Sequence, residues 1–271
     1  MYMPIIIKSE DEVAVMREAG RIVGEVLELL AAEARPGLRT AELDTIVRQE
    51  FKRRKVVPTF LGYQGYPSHV CVSVNEEIVH AIPGGRVLRE GDIVSIDLGA
   101  THQGFVADSA LSIGIGQMPP ERQRLIDVTH EALWAGIRAA RHGSHVSDIS
   151  HAVQKHAEAA GFSVVREYVG HGVGRDMHEE PQIPNYGSPN RGPLLRKGMV
   201  IAIEPMVNIG DWRTKKHNDG WTVSTLDGSP SAHFEHTIAI TDGEPEVLTL
   251  RKSERAPVPA GARAAAGSRE R

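Results

Sequence analysis

The second half of the chain repeats part of the first half, and this repeat constrains the fold more than any other feature. Residues 88–97 read Leu-Arg-Glu-Gly-Asp-Ile-Val-Ser-Ile-Asp, and residues 195–204 read Leu-Arg-Lys-Gly-Met-Val-Ile-Ala-Ile-Glu. A His-x-x-Pro precedes each block, and a further carboxylate follows each block beside an apolar run. The repeat predicts two similar halves, about 1–115 and 116–251, related by an approximate two-fold axis.

Each half carries the same kinds of metal-binding side chain at matching places. They are His80, Asp97 and Asp108 in the first half, and His178, Glu204 and Glu235 in the second. A two-fold axis would gather all of them at one point, where four buried carboxylates would repel each other strongly unless cations accompanied them. The repeat therefore predicts a metal centre with two ions.

The composition is that of an ordinary globular protein, and one domain is expected over residues 1–251. The chain has 271 residues, of which 41% are hydrophobic, and its net charge is −4. Because residues 251–271 hold six Lys or Arg and two acidic residues, residues 1–250 carry −8, and the four carboxylates contribute half of that. This balance argues against nucleic-acid binding as the main task.

The single cysteine and the lack of a targeting pattern predict a cytoplasmic protein. Cys71 alone excludes an intramolecular disulfide and a cysteine-based zinc site, and it is typical of a reducing compartment. Residues 1–8 lack the apolar region and the cleavage site of a signal peptide. No run approaches the ~20 apolar residues of a membrane-spanning helix, so no membrane association is expected.

Helix and strand patterns follow a similar order in both halves, which predicts an α+β fold. The predicted helices run from a Ser9–Glu12 capping box to Pro36-Gly37, from Thr40 to about Arg54, from Pro119-Pro120 to about Arg141, and from a Ser147 cap to Gly161. The predicted strands are residues 70–74, 93–97, 105–113, 200–204, 234–240 and 247–250. Residues 252–271 are predicted to be a disordered tail, because periodicity is lost near the end of the chain.

The second and third predicted strands form a hairpin that carries Asp97 and Asp108. If this hairpin is symmetric about the bond between residues 102 and 103, the two aspartates are directly opposed, with Cβ atoms about 4.5–5.5 Å apart. Carboxylates at that distance repel each other unless an ion bridges them. Two exposed strand aspartates are the alternative, but Asp97 closes an apolar run, as Glu204 does in the second block.

A further candidate ligand, His171, lies outside the repeat. It sits within residues 170–174, Gly-His-Gly-Val-Gly, where glycine would allow the backbone to approach a ligand closely. The Rossmann spacing and a Walker lysine are absent, which argues against phosphate binding. Oxygen ligands with one imidazole favour Mn, Fe or Co, and Zn is a further option. Two such ions about 3.5–4 Å apart would hold a bridging water, lower its pKa toward ~7 and supply hydroxide for attack on an amide.

Taken together, these residues resemble the type I methionine aminopeptidases, which are metal-dependent enzymes that remove the initiator methionine. The resemblance covers roughly residues 5–250. The motifs that carry it are Gly62-Tyr63-Gln64-Gly65-Tyr66-Pro67, Asp97, Asp108, His171-Gly-Val-Gly174, His178-Glu-Glu-Pro181, Ile203-Glu-Pro-Met-Val207, Gly220-Trp221-Thr222 and Glu235-His236-Thr237. It implies the pita-bread fold, in which two pseudo-two-fold-related halves form an antiparallel sheet flanked by helices.

The resemblance also implies roles for individual residues. The ligands of a dinuclear centre would be Asp97, Asp108, His171, Glu204 and Glu235. The catalytic residues would be His80, His178 and Glu204, the last also moving a proton. The substrate-binding residues would be Tyr63, Tyr66, Cys71, His80, His178, Met206 and Trp221. The implied cofactors are two divalent ions (Co, Mn, Fe or Zn), and the implied substrates are nascent chains or peptides with a small second residue.

Two positions depart from the family pattern. Phe60 stands where many members have a smaller residue, and Met177 stands where an aromatic residue is usual. Both residues border the expected methionine pocket, so they bear on its shape.

Three alternatives stay open: a proline-specific aminopeptidase of the same fold, a binding protein that has lost its metal, and a thiol mechanism that pairs Cys71 with His69. We further expect a monomer. The basic tail is interpreted as a solvated segment, with transient ribosome association as the other interpretation.

Overall fold

A computed structural model describes residues 4–254, in which helices and antiparallel sheets form the predicted α+β fold. The helices are α1 (Glu10–Glu33), α2 (Thr40–Arg54), α3 (Pro120–Ala139) and α4 (Val146–Ala159), with a short 3-10 turn at Tyr63–Gly65. The strands are β1 (Val57–Pro58), β2 (Cys71–Val74), β3 (Glu77–Val79), β4 (Ile93–His102), β5 (Phe105–Gly114), β6 (Ser163–Val164), β7 (Gly170–Gly172), β8 (Glu179–Ile183), β9 (Val200–Ile203), β10 (Met206–Asn208), β11 (Thr214–Lys216), β12 (Val223–Thr225), β13 (Ser231–His233), β14 (His236–Ala239) and β15 (Glu246–Val247). Within residues 4–254, the helices are all too short or too polar to cross a membrane.

The first two helices start where the sequence predicts. At the start of α1, the Glu12 N–H donates to Ser9 Oγ (3.2 Å), and the Ser9 N–H donates to Glu12 Oε2 (3.0 Å). This is the expected capping box, which satisfies two N–H groups that the helix itself leaves without a partner. The second helix has the predicted bounds, Thr40–Arg54.

The prediction that Ser147 caps α4 is wrong. The helix begins one residue earlier, at Val146, and its N-cap residue is His145. The Asp148 carboxylate accepts the His145 N–H (2.7 Å), while Ser147 Oγ instead accepts the N–H of Arg191 (2.7 Å). The bond from the His145 N–H to Asp148 is the half of a capping box in which an acidic side chain in the first turn accepts the N–H of the N-cap residue.

The sequence repeat is matched by a repeated hydrogen-bonding pattern. In the first half the Gly37 N–H donates to the Leu88 carbonyl (2.8 Å), and in the second half the Gly143 N–H donates to the Leu195 carbonyl (2.9 Å). The strand order repeats as well, since β4 lies between β5 and β2, and β9 lies between β14 and β7. Both halves therefore place a central strand in the same surroundings, although Asp97 lies in the middle of β4 whereas Glu204 directly follows β9.

The two halves meet along a seam between β5 and the residues that lead into β14. The Glu235 N–H donates to the Ala110 carbonyl (2.9 Å). Nearby, the Ser112 hydroxyl accepts the His233 N–H (2.8 Å) and donates to the His233 carbonyl (2.9 Å). Because β5 comes from the first half and β14 from the second, the seam brings Asp108 of β5 close to Glu235, which directly precedes β14.

A continuous hydrophobic core joins α1 and α2 to β4 and β5, and continues to α3 and α4. The tightest approach lies between α1 and residues 248–250, where glycine is needed on the helix. A Cβ at Gly20 would overlap the carbonyl oxygen of Leu248, and a Cβ at Gly24 would lie 3.1 Å from the carbonyl oxygen of Thr249. These two glycines therefore let the last described segment lie directly on the helix.

The predicted tail starts too early. Residues 252–254 form a turn, and the Glu254 side chain is 5% exposed. The remainder of the predicted tail, residues 255–271, lies outside the described residues.

The close approach at Gly20 predicts an unusual effect of Gly20→Ala. Alanine would raise helix propensity by about 1 kcal/mol. Because its Cβ would collide with backbone atoms, we instead expect the free energy of unfolding to fall by roughly 1–3 kcal/mol in urea titrations. Gly24→Ala should lower the free energy of unfolding by less, because a Cβ at Gly24 would lie farther from the nearest backbone atom than a Cβ at Gly20. A Gly20→Ala protein more stable than the wild type would contradict this packing.

Candidate metal centre and substrate cavity

The hairpin of β4 and β5 brings Asp97 and Asp108 to one face, but in a different register from the one predicted. The turn consists of Gln103 and Gly104, with φ values of 47° and 80°, so its centre lies one residue later than expected. Asp108 therefore lies opposite Gly99, two positions from Asp97. The prediction of direct opposition is wrong, yet diagonal residues still share a face within reach of each other.

The second half supplies Glu235 and also holds Asp108 in place. Glu235 pairs through its backbone with Ala110, which lies directly opposite Asp97. The Thr237 hydroxyl accepts the Asp108 N–H (3.0 Å) and donates to the Asp108 carbonyl (2.7 Å). The three carboxylates thus lie on adjacent strands across the seam.

His171 completes a compact cluster of potential ligands. Its Nδ1 lies 2.9 Å from the Gly172 carbonyl, so Nδ1–H donates to that oxygen and Nε2 keeps its lone pair for a ligand. One ligand atom each from Asp108, His171 and Glu235 lie within 4.8 Å of one another, and all three residues are buried.

Glu204 lies beside this cluster, between two imidazoles. Its Oε1 is 3.7 Å from His171 Nε2, and its Oε2 is 3.9 Å from His233 Nε2. The Asn185 side chain donates to the Glu204 carbonyl (3.0 Å) and holds the backbone where β9 ends. The structure thus brings all five predicted ligands to one place.

Burial and mutual repulsion shift the pKa values of these groups strongly. Burial, reinforced by neighbouring carboxylates, raises the pKa of Asp97, Glu204 and Glu235 well above their ordinary values. Burial raises the pKa of Asp108 to about 7. Burial and the nearby His178 lower the pKa of His171 to about 3, which keeps this imidazole neutral. A neutral imidazole is the form that binds metal.

Divalent metal ions fit this group of residues. Asp97 Oδ1, Asp108 Oδ1 and Glu235 Oε1 are buried and have no hydrogen-bond partner within the described residues. Buried carboxylate oxygens without partners are costly, and a divalent cation satisfies them through its preference for oxygen and imidazole ligands.

A cavity of about 140 Å³ opens beside the cluster. Its lining residues are Phe60, Tyr63, Gln64, Tyr66, Cys71, His80, Asp97, Met177, His178 and Trp221. The lining includes every predicted substrate-binding residue except Met206. Met206 does not line this cavity: Pro205 follows β9, and Met206 begins β10, where it packs against Ile78 and Val79 in a separate cluster.

The two cavity histidines are held in different ways. Tyr63 Oη lies 2.7 Å from His178 Nδ1, which leaves Nε2 of that ring for another partner. His80 has a φ of 62°, a left-handed conformation that is uncommon for a non-glycine residue and is found more often at functional sites. Burial and the nearby His178 lower the pKa of His80 to about 4, so this ring is neutral.

The glycines around His171 serve the packing of strands. A Cβ at Gly170 would overlap the Ala202 carbonyl oxygen of β9, and one at Gly172 would overlap the Glu180 carbonyl oxygen of β8. The sequence correctly indicated a close backbone approach, which the structure shows between strands; the approach of a ligand stays a prediction.

The cavity argues against the thiol alternative. Burial and the charge of Asp97 raise the pKa of the Cys71 thiol well above its ordinary value, which disfavours the reactive thiolate. His69 is engaged elsewhere, because its Nδ1 lies 3.1 Å from Asp44.

Sequence reasoning missed two supports of the site. His233 is 1% exposed, and both of its ring nitrogens lack a hydrogen-bond partner within the described residues. Lys8 forms a buried ion pair with Glu179 (2.5 Å), next to His178. A histidine two residues before Glu235 could have been noticed, but nothing in the sequence pairs residue 8 with residue 179.

Comparisons with known proteins identify the family of this chain. Residues 14–242 match metallopeptidase family M24. A methionine aminopeptidase from Bacillus subtilis is 52% identical over 245 residues, which cover 90% of this chain and 99% of the relative. The crystal structure of methionine aminopeptidase from Thermotoga maritima superposes with a TM-score of 0.90 at 47% identity, covering 91% of this chain and 99% of that chain.

A more distant similarity concerns the fold alone. A prolidase from Pyrococcus furiosus has a TM-score of 0.75 at 23% identity, covering 93% of this chain and 66% of that chain. Together these comparisons confirm the predicted pita-bread fold.

The shifted pKa values predict how pH affects the stability of metal-free protein. Folding raises the pKa of Asp108 from 3.8 to about 7, so its stabilising contribution is complete below the unfolded value and is lost as pH rises through 7. The raised pKa values of Asp97, Glu204 and Glu235 act in the same direction. Buried histidines oppose it only at lower pH, because their unfolded value is 6.5.

We therefore expect the free energy of unfolding of EDTA-treated protein to fall as pH rises from about 6.5 through about 7, by up to about 1.4 kcal/mol per pH unit for each titrating carboxyl group. Saturating Mn(II) should flatten this slope, because bound metal keeps the carboxylates ionised. Urea titrations at constant ionic strength measure both. A metal-free protein whose stability is constant or rises over this range would contradict the repulsion described here.

Proposed function

The chain belongs to metallopeptidase family M24 and, within it, to the type I methionine aminopeptidases, and we propose that it removes the N-terminal methionine from proteins and peptides whose second residue is small. The observation that carries this proposal is the convergence of two buried carboxylates, Asp108 and Glu235, and two partly buried ones, Asp97 and Glu204, with His171 beside a largely apolar cavity. The substrates are therefore polypeptides with a free N-terminus.

We propose a dinuclear centre held by Asp97, Asp108, His171, Glu204 and Glu235. When bound, the ions supply Lewis acidity, which lowers the pKa of water toward about 7 and polarises a carbonyl. Mn, Fe, Co and Zn are the candidates, because the donors are carboxylate oxygens and one imidazole. His171 is prepared for this role, since the Gly172 carbonyl fixes the tautomer in which Nε2 is free.

Glu204 is the residue best suited to move a proton. Its pKa is raised by burial and by Asp108, so the carboxylate holds a proton more readily than an exposed glutamate. Such a group can take a proton from the attacking water and deliver it to the leaving nitrogen. Its position between His171 and His233 supports this role, because both rings are neutral and do not hold it in a permanent ion pair.

The cavity histidines are suited to orient the scissile amide. His178 presents Nε2 to the cavity while Tyr63 occupies Nδ1, so this ring can donate to the scissile carbonyl oxygen. We assign His80 to the leaving nitrogen, since it lines the same cavity and is neutral. Both groups bind and orient substrate without needing to be charged.

The cavity is suited to a single methionine side chain. Tyr66 and Trp221 meet edge to face with ring centroids 5.1 Å apart, and Phe60 and Met177 add apolar surface. Burying a methionine side chain contributes roughly 1.5–3 kcal/mol. We propose that the free amine of the substrate then lies at the carboxylate cluster, which limits cleavage to the first peptide bond.

We propose that the protein acts as a monomer in the cytoplasm on nascent chains. The single cysteine, which is buried, is typical of a reducing compartment. The basic residues at the end of the chain offer a route to transient ribosome association, which co-sedimentation with and without residues 255–271 would test.

The direct test of function compares a Met-Ala-Ser peptide with an Xaa-Pro peptide, using protein reconstituted anaerobically with each candidate ion. We expect cleavage of the first peptide only. Asp97→Ala should reduce kcat/KM to background, whereas Cys71→Ser, in the same cavity, should retain metal and activity. Preferential cleavage of the Xaa-Pro peptide, or inactivity of Cys71→Ser with metal retained, would contradict the proposal.

The cavity also predicts limited discrimination against an isosteric side chain. Norleucine replaces the methionine sulfur by a methylene, and an apolar pocket distinguishes such groups by only about 1–3 kcal/mol. We therefore expect norleucine-Ala-Ser to be cleaved with kcat/KM within about 200-fold of that for Met-Ala-Ser. Steady-state kinetics on both peptides measure this, and no detectable cleavage of the norleucine peptide would show that the pocket recognises sulfur specifically.

A further inference from the structure

The last described residues reach the back of the metal centre. We call residues Thr249–Glu254 the C-terminal strap. It contacts Ser109 and His236, which directly follow the ligands Asp108 and Glu235 in the chain. Because side chains alternate along an extended strand, residues next to a ligand point away from it. The strap therefore lies behind the site and not in its cavity.

Arg251 links the strap to the backbone of Glu235. Its Nη1 donates to Ser109 Oγ (3.3 Å), and the Ser109 hydroxyl donates to the Glu235 carbonyl (2.6 Å). Arg251 is 5% exposed and Ser109 is completely buried. Burying a guanidinium costs free energy unless hydrogen-bond acceptors surround it. The hydrogen bond from Arg251 to Ser109 is therefore favoured over a buried Arg251 without partners.

Glu254 provides the charge that holds Arg251 and also binds His236. Its carboxylate accepts from Arg251 Nη2 (2.9 Å) and from His236 Nε2 (3.0 Å), and it lies 2.7 Å from His130 Nε2 of α3. The Glu254 side chain is 5% exposed. One buried carboxylate thus ties the strap to α3 and to the residue that follows Glu235.

Thr249 extends the same support to Asp108. Its hydroxyl accepts the Thr237 N–H (3.1 Å) and lies 2.9 Å from His236 Nδ1, to which it can donate. Thr237 in turn clamps the backbone of Asp108 through its own hydroxyl. Two successive hydrogen bonds therefore connect the strap to the backbone of Asp108, and two others connect it to the backbone of Glu235.

We propose that the C-terminal strap is a positioning element for the metal centre, in which Arg251 and Glu254 hold the backbones of Asp108 and Glu235 at the separation that metal binding requires. This inference rests on the proposed metal-dependent function. Like-charged ligands tend to spread apart, and the buried hydrogen bonds of the strap resist that movement from behind. Loss of outer contacts of this kind typically weakens metal binding by about 10–100-fold.

Two truncations separate the strap from the residues beyond it. Truncation after Leu250 removes Arg251 and Glu254, whereas truncation after Glu254 removes only residues 255–271. We expect the first to weaken Mn(II) binding about 10–100-fold in isothermal titration calorimetry. The second should match the wild type. The visible absorption of bound Co(II) should also change only in the first, because it reports ligand geometry.

Point variants keep the test valid if the shorter chain does not fold. Arg251→Met and Glu254→Gln should each weaken Mn(II) binding at least several-fold, toward the lower part of the same range. Arg17→Met is the matched control, because Arg17 also pairs with a glutamate near the end of the chain (Glu246, 2.5 Å) but is 50% exposed. Its Mn(II) affinity should equal that of the wild type.

The outcomes distinguish this inference from the proposed function. If wild-type protein neither binds Mn(II) nor cleaves Met-Ala-Ser, the proposed function fails. The inference about the strap is overturned by a different result, in which the wild type binds Mn(II) and cleaves Met-Ala-Ser. In that case Arg251→Met and Glu254→Gln would lower only the stability of the metal-free protein, with Mn(II) affinity and the Co(II) spectrum unchanged. The strap would then be merely structural.

Discussion

Four carboxylates gathered around one neutral imidazole, with Asp108 and Glu235 buried and Asp97 and Glu204 partly buried, determine much of the rest of this structure. Within the described residues, no lysine or arginine forms an ion pair with Asp97, Asp108, Glu204 or Glu235, and the only basic partners are the neutral rings of His171 and His233. The chain therefore does not neutralise these groups from within. Either protons or external cations must do so, and at neutral pH divalent cations are the better match for partnerless carboxylate oxygens.

The repulsion between these carboxylates does not separate them, because both halves of the fold restrain the backbones of the ligand residues. Hydrogen bonds across the seam fix Glu235 against Ala110 and hold Asp108 through the hydroxyl of Thr237. A buried ion pair between Lys8 and Glu179 supports the segment next to the cavity. The catalytic surroundings are thus held by strands and buried polar contacts, which is how a site keeps like charges close together before any ion binds.

Much of the site was predictable from the sequence because the duplication marks equivalent positions beside apolar strand residues, and carboxylates are rarely buried at such places unless they bind a cation or form an ion pair. The register of Asp97 and Asp108 was not predictable, since it depends on whether the turn is centred on residues 102–103 or on Gln103-Gly104. Contacts between segments that are distant in the chain, such as Lys8 with Glu179, have no local pattern in the sequence that would predict them. The strap is the clearest case, because its composition resembles a tail while its charged side chains Arg251 and Glu254 are buried.

Anomalous diffraction from crystals of the Mn(II)-loaded protein tests the central claim most directly. We predict two manganese peaks between the halves, with oxygens of Asp108 and Glu235 about 2.0–2.6 Å from the metal and His171 Nε2 bound to one ion only. Peaks at other places, or none at this cluster in protein whose activity depends on manganese, would show that the buried carboxylates do not form the metal centre.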